Sequence, residues 1–276
     1  MRISAVVHTL NEENNIEACL KCLRWTDEII VVDMRSDDGT LEICKKYTDR
    51  IYSFDRTGGF VEPARGFGMG KAEGDWILII DADERVPSAL AARLREISER
   101  PDCDVVEIPF KNYVFGRWMR HTGMHPDYHP RFFRKGKVEP SELVHGKFKT
   151  AGKVLRLDAE DESNHIVHFG YRDCFQYVEK LNRYSTAELE RFEASGREFS
   201  KTKMIKAGFY EFRRRYISKK GYKDGVEGLI VSVCRGFYHF LVYAKYWERL
   251  DAGNRRADEA YRAIEREIID RHEEKQ

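Results

Sequence analysis

Nowhere in this sequence do about twenty uncharged apolar residues follow one another, so no membrane-spanning helix is expected. The opening MRISAVVHTLNEENN passes from one arginine directly into a short strand. It lacks the apolar core and small-residue cleavage site of a signal peptide, and the reading expects a mature chain beginning at or near Met1. Neither sign of charge is in excess: 48 Lys and Arg face 47 Asp and Glu, which excludes the overall basicity of a nucleic-acid binder. Cysteine is sparse, six residues at 19, 22, 44, 103, 174 and 234, without the regular spacing of a disulfide framework or a zinc ribbon. Reduced thiols in a cytosolic protein fit that usage, and the CxxC of Cys19 and Cys22 falls inside an expected helix. No GxGxxG follows the first strand, which removes a dinucleotide-binding reading. GFGMGK at 66–71 lacks phosphate-loop spacing, is followed by Ala72, and is expected to be a flexible loop and helix start. Internal repeats and low-complexity segments are absent.

What is present is a series of β-branched runs. ISAVV at 3–7 and EIIVVD at 28–33 flank a helical pattern of Ile16, Leu20 and Leu23, a βαβ unit. A helix at about 40–47, a strand at 50–54, a Gly-rich loop with a further helix, and WILIID at 76–81 follow. Apolar runs without alternation belong to strands covered on both faces, hence an α/β sandwich with a mostly parallel central sheet. Ligands of such sheets collect at the carboxyl ends of strands, where this chain places Asn11 and Glu12, Asp33, and Asp81 with Asp83. From about 105 to 200 short strands and a His- and aromatic-rich stretch suggest a second lobe. Residues 201–225 then hold nine Lys or Arg against Glu211 and Asp224, a local basic patch. The apolar, aromatic run 229–247 is interrupted by Ser232, Arg235 and His239 in one helical stripe, and the polar tail is expected to be a solvated helix.

Two carboxylates separated by one residue after a buried strand, as in Asp81-Ala82-Asp83, suit one divalent ion, directly or through water, and a ribose hydroxyl. Together with VVHTLNEENNIEACL, IIVVDMRSDDGT and the arginine of PARGFGMGKAEGDW, the segment LIIDADERV resembles family 2 glycosyltransferases of the GT-A fold, with motifs in that family's order across the first hundred residues. The resemblance implies a nucleotide-sugar donor, UDP-linked in the usual case, and Mn²⁺ or Mg²⁺ as cofactor. It implies that His8, Leu10 and Glu12 lie against the nucleotide, that Asp33 accepts a hydrogen bond from the base, and that Arg65 faces the diphosphate or base. Asp81 would then serve the ribose and metal region and Asp83 the metal. Met34 and Arg35 depart from the small residues usual there, which loosens the expectation about the nucleotide.

NYVFGRWMRHTGMHPDYHPRFFRKG, LVHGKF and IVHFGYRDCFQYVEKLNRYST are similar to the branch containing lipopolysaccharide-core β-glucosyltransferases. An inverting transfer needs a general base, and Asp127 in HPDY is the candidate, with Glu142 in reserve and Glu107 weaker; Asp127 capping a turn or pairing with Arg131 is the structural alternative. His121, His125 and His129 recur every four residues, but Pro126 and Pro130 break the helix that would align them. His145 and His168 match family histidines, either as acceptor-side or phosphate-contacting groups or as core histidines.

These readings divide the chain into a nucleotide-sugar-binding half at 1–105, an acceptor lobe at 106–200 and a helical extension at 201–276. The expected activity is inverting transfer of a hexose to a lipid-linked or surface-glycan saccharide. The basic, aromatic extension is expected to meet an anionic membrane surface, placing the protein peripherally on the inner face of the cytoplasmic membrane; a protein contact, including a homo-oligomer, is the alternative. Transfer to a protein or peptide and an inactive nucleotide-binding scaffold are the competing functions.

Overall fold

The structure is a computed structural model that describes residues 1–55, 61–139, 148–196, 198–250 and 255–273. Two compact units appear, Met1–Cys174 and Phe175–Gln276. The first opens with β1 (Ile3–Thr9), α1 (Ile16–Lys21), β2 (Glu28–Asp33), α2 (Thr40–Cys44), β3 (Ile51–Ser53), α3 (Glu62–Lys71), β4 (Trp76–Asp81), β5 (Glu84–Arg85) and α4 (Ser88–Ser98). It continues through β6 (Val105–Val114), β7 (Arg117–Trp118), β8 (Tyr128–Arg134), β9 (Val138–Glu139), β10 (Lys149–Thr150), β11 (Val154–Arg156) and β12 (Ile166–Tyr171).

The main sheet runs β3-β2-β1-β4-β8-β6-β12-β5. Strands β1 to β4 are parallel, β8 enters antiparallel between β4 and β6, and β12 returns parallel to β6. The segment expected to be a separate lobe thus continues the same sheet as far as Tyr171. Strands β1, β2 and β4 bury both faces. Ile3, Ala5, Val7, Leu78 and Ile80 pack with Ile16, Leu20, Leu90 and Leu94 in one layer, while Val6, Ile30, Val32, Ile77 and Ile79 pack with Ala64 and Met69 in the other. Each Val, Leu, Ile or Met side chain among them contributes roughly 1.5–3 kcal/mol on full burial. Trp76 stacks on Phe132 with ring centroids 4.5 Å apart and donates its indole N–H to the Ser98 carbonyl.

GFGMGK is not a loop: it lies wholly within α3. The reason is packing. A Cβ on Gly68 would stand 2.6 Å from Val6 Cγ1 and 2.8 Å from Val32 Cγ2, so the missing side chain lets α3 lie directly on β1 and β2.

The second unit contains α5 (Cys174–Ala194), α6 (Lys201–Arg213), α7 (Gly225–Leu250) and α8 (Arg255–Glu273). Helices α6 and α7 cross at Gly208 and Gly236, where an added Cβ would meet the opposing carbonyl at 3.0 and 2.8 Å. With the turn before it, α7 is, among the described residues, long and apolar enough by length and composition to cross a membrane, which the uninterrupted-run criterion did not anticipate. Of its expected polar stripe, Ser232 is buried, Arg235 half-buried and His239 exposed.

Candidate active site

The site forms at the carboxyl ends of β1, β2 and β4. Asn11, at φ 54°, donates its side-chain amide to Asp37 Oδ1 and accepts the Asp37 backbone N–H, while its own backbone N–H donates to Ser36 Oγ, joining the loops after β1 and β2. Glu12 accepts from Asn15 Nδ2 at 2.7 Å, and Leu10 packs partly buried against the Val6 and Val32 layer. Asp33 is buried at the end of β2. Its Oδ2 accepts the backbone N–H groups of Arg35 and Ser36 at 3.1 Å, and its Oδ1 accepts the Ser36 hydroxyl at 2.6 Å. The residue expected to read the base therefore also shapes the turn that carries Met34 and Arg35.

Asp81 is the centre of charge. Its Oδ2 accepts from Arg65 Nη2 at 2.9 Å and from Arg131 Nη2 at 3.1 Å, and its backbone N–H donates to Glu84 Oε2 at 2.9 Å. Burial disfavours ionisation, yet the Arg65 and Arg131 guanidiniums outweigh it and hold the Asp81 carboxyl well below the usual carboxylate range. Arg131, 5% exposed, also donates to Glu84 Oε1 at 2.6 Å. Burial wins at Glu84, where the carboxyl is pushed up to about 7 despite Arg131. His8 is buried with Nδ1 3.9 Å from Asp81 Oδ1, and burial lowers it to about 4, so the ring is neutral at physiological pH. Cys19 of the CxxC is buried with its Sγ 3.7 Å from the Asp81 carbonyl, and burial pushes that thiol well up.

The other half is a relay of side chains. Asp83 Oδ2 lies 3.5 Å from His168 Nε2. His168 Nδ1 lies 2.7 Å from Asn112 Oδ1, and Asn112 Nδ2 donates to Asp127 Oδ2 at 3.0 Å. Asp127 Oδ1 in turn meets His129 Nε2 at 3.1 Å. Because Asn112 Oδ1 only accepts, His168 carries its proton on Nδ1. Burial opposes a charged His168, but Asp83 outweighs burial and raises its pKa. Burial likewise opposes the Asp127 charge, and His129 and Asn112 outweigh it, so Asp127 is a carboxylate at neutral pH. The pairing of Asp127 with Arg131 considered from sequence is not made; Arg131 turns to Asp81 and Glu84. His125 stacks on His165, while His129 sits in β8. Glu107 pairs with Arg156 at 2.7 Å, away from this relay. Glu142 and His145 lie outside the described residues.

The implied divalent metal has a fitting donor set. Asp83 and the Nε2 of His168 face each other, and Asp81 Oδ1 is a buried oxygen without a hydrogen-bond partner among the described residues. Buried N–H groups of Arg65 (Nε) and Arg131 (Nε and Nη1) are likewise unsatisfied there, a demand that diphosphate oxygens would meet. No group of three or more His, Cys, Asp or Glu side chains among the described residues is already gathered as a metal cage.

Sequence reasoning missed Glu84, Arg131 and Asn112 as members of the site. The adjacency of Glu84 to Asp83 was a usable signal. Nothing local marks Asn112, whose role arises only because β6 pairs with β12 and brings Asn112 opposite His168.

Residues 4–156 match the family described as glycosyl transferase family 2. Over 257 residues the chain is 27% identical to the lipopolysaccharide core biosynthesis glycosyltransferase LpsC of Rhizobium meliloti, spanning 90% of this chain and 92% of that one. Among solved structures, TarS residues 1–349 of S. aureus is 15% identical, with TM-score 0.46 over 90% of this chain and 92% of the other. Glucosyl-3-phosphoglycerate synthase of Mycobacterium tuberculosis, solved with Mg²⁺ and uridine diphosphate, is 24% identical with TM-score 0.32 over 42% of this chain and 44% of its own. The matched motifs and the sheet that carries them make this chain a member of glycosyl transferase family 2, a glycosyltransferase with the GT-A fold.

Proposed function

We propose that the chain is an inverting, divalent-metal-dependent hexosyltransferase that uses a nucleotide-diphosphate sugar, UDP-linked in the first instance, and a lipid-linked or surface-glycan saccharide as acceptor. The observation that carries this reading is the continuous path Asp83–His168–Asn112–Asp127, which links the pair proposed to hold the cation to a positioned carboxylate. Asp83 and His168 would hold the metal, with Asp81 Oδ1 beside them. When bound, the metal neutralises the diphosphate as it departs. His8, Leu10, Glu12 and Asp33 line the nucleotide end, and Arg65 and Arg131 offer their unsatisfied N–H groups to phosphate oxygens.

Asp127 is the proposed base. Its carboxylate takes the proton of the acceptor hydroxyl as that oxygen bonds to the anomeric carbon, the bond from that carbon to the phosphate oxygen breaks, and the nucleoside diphosphate leaves on the opposite side. An α-linked donor then gives a β-linked product. Asn112 orients both halves at once: its carbonyl fixes the His168 tautomer, leaving Nε2 toward Asp83, and its amide N–H holds Asp127.

The likeness to a lipopolysaccharide core enzyme supports a surface-glycan acceptor; the basic and aromatic composition of 201–276 supports a cytoplasmic enzyme working peripherally at the inner membrane face, with that segment as its membrane-facing part. Thermal-shift titration with UDP and Mn²⁺ tests the donor site: stabilisation in the wild type, lost in Asp83→Ala, is expected, and no shift with any of several nucleotides overturns it. Asp127→Asn is expected to abolish transfer while keeping the UDP shift; near-normal transfer removes Asp127 as the base.

A further inference from the structure

The second unit carries an apolar surface that its own fold leaves uncovered. Along α7, Val226, Leu229, Val233, Phe237 and Trp247 are 68, 40, 51, 50 and 47% exposed, and they recur at helical period over about 30 Å. On α6, Ile205 and Phe209 are 63 and 68% exposed beside them. Where the helices cross at Gly208 and Gly236, a shallow groove of about 410 Å³ opens, walled by Ile205, Phe209, Phe212, Val233, Phe237 and Phe240. Monomeric soluble proteins rarely expose so continuous an apolar face.

The opposite side of α7 is tied down by polar groups. Lys245 Nζ donates to the Asn182 carbonyl, Ser185 Oγ and Thr186 Oγ1 at 2.7–2.8 Å, and Arg249 pairs with Glu193 at 2.7 Å, both on α5. Glu211 of α6 is buried against Arg214 and Arg215 at 2.6–2.7 Å. A spanning α7 would have to drag this charged partner surface into hydrocarbon or abandon it, and either is costly. A helix lying in the interface keeps all of it in water. The flanks match an anionic surface: Lys206 and Arg213 on α6 and Lys219, Lys220 and Lys223 in the connection to α7 are all exposed.

Resting on the membrane reading above, we infer that α6 and α7 form a monotopic docking surface for anionic phospholipid, with α7 in the plane of the interface and the groove taking an acyl chain. The occupant is a bilayer leaflet, recognised by phosphate on the lysines and hydrocarbon on the phenylalanines.

The test uses the full chain and vesicles of phosphatidylcholine with and without about 30% phosphatidylglycerol, whose anionic headgroups attract basic segments. Phe209→Glu with Phe237→Glu, both at exposed positions, is expected to reduce flotation at least about tenfold while preserving the UDP and Mn²⁺ thermal shift. Lys219→Glu with Lys220→Glu is expected to remove the preference for phosphatidylglycerol. Spin labels at Leu229→Cys, Val233→Cys, Phe237→Cys and Trp247→Cys, with Cys22, Cys174 and Cys234 changed to Ser, are expected to sit at one depth; depths graded from one leaflet to the other overturn the in-plane geometry. Wild-type flotation with an unaffected Phe variant overturns the docking surface but spares the membrane reading. Absence of wild-type flotation removes both. A dimer that the Phe variant dissociates, without vesicle binding, assigns the face to a second copy instead and overturns the lipid assignment.

Discussion

Glu84→Gln should flatten the pH dependence of stability between about pH 5 and pH 8. Glu84 is 1% exposed, and burial lifts its carboxyl from the ordinary 4.5 to about 7 even with Arg131 beside it. The folded state therefore holds this proton more tightly than the unfolded chain. The resulting stabilisation is fully present below pH 4.5 and is lost as pH rises through about 7. The interval corresponds to roughly 3 kcal/mol, or about 6–12 °C of melting temperature for a unit of this size. His168, whose pKa is also raised, contributes in the same direction across neutral pH, whereas Asp81, depressed by Arg65 and Arg131, loses stability only in acid, below its ordinary 3.8. Calorimetric melts of metal-free protein in EDTA, from pH 5 to 8.5, should show wild-type melting temperature falling with pH. The Gln variant, which has no proton to lose, should retain only the His168 share of the slope. A variant with the wild-type slope would refute the reasoning and would mean that water or Arg131 already keeps Glu84 ionised.

Substitutions at two further positions probe the joints of the site. Asn112→Ala should lower kcat about 10- to 100-fold, the equivalent of one hydrogen bond to a charged group, and weaken Mn²⁺ binding. Asn112→Asp, which keeps an acceptor for His168 but sets a like charge against Asp127, should retain Mn²⁺ affinity while moving the acid limb of the kcat profile to higher pH; equal loss in both readouts for both variants would reduce Asn112 to a packing role. Gly68→Ala should cost about 1–3 kcal/mol from overpacking against Val6 and Val32, and by lifting α3 should weaken the Arg65–Asp81 pair and with it the UDP thermal shift; a stability equal to wild type, measured by urea unfolding, would contradict the contact geometry.

The parallel half of the sheet was legible in the sequence because its strands are continuous apolar runs ending in carboxylates. ISAVV, EIIVVD and WILIID became β1, β2 and β4 with their acidic ends gathered on one edge. Asp81 and Asp83 were equally visible, but their different surroundings were not. Asp81 is held by Arg65, which shares its half of the chain, and by Arg131, fifty residues on; only the insertion of antiparallel β8 beside β4 makes the second contact. Glycine spacing misled at α3, since three glycines in six residues read locally as a loop, whereas the tertiary need for a Cβ-free contact at Gly68 outweighed their low helix propensity. Charge counting also left the layout of the basic patch open: Arg214 and Arg215 both turn to the buried Glu211, a pairing that depends on a helical spacing of three and four that a tally of charges does not register.

The order of strands bears on how such an enzyme changes its acceptor. β4, which ends at Asp81, and β8, which begins next to Asp127, are hydrogen-bonded neighbours, and β6 with Asn112 is the next strand over. In the proposed reading, the residues assigned to donor and acceptor lie on neighbouring strands of one sheet, about 4.8 Å apart where the strands pair, rather than across a hinge. The β4–β8 ladder pairs Trp76–Leu78 with Phe132–Arg134, so it anchors both strands a few residues short of Asp81 and Asp127. On that reading, divergence toward a new acceptor falls on side chains and loops beyond the ladder, and a chimera that exchanges segments at the sheet's outer edge should keep the β4–β8–β6 framework intact.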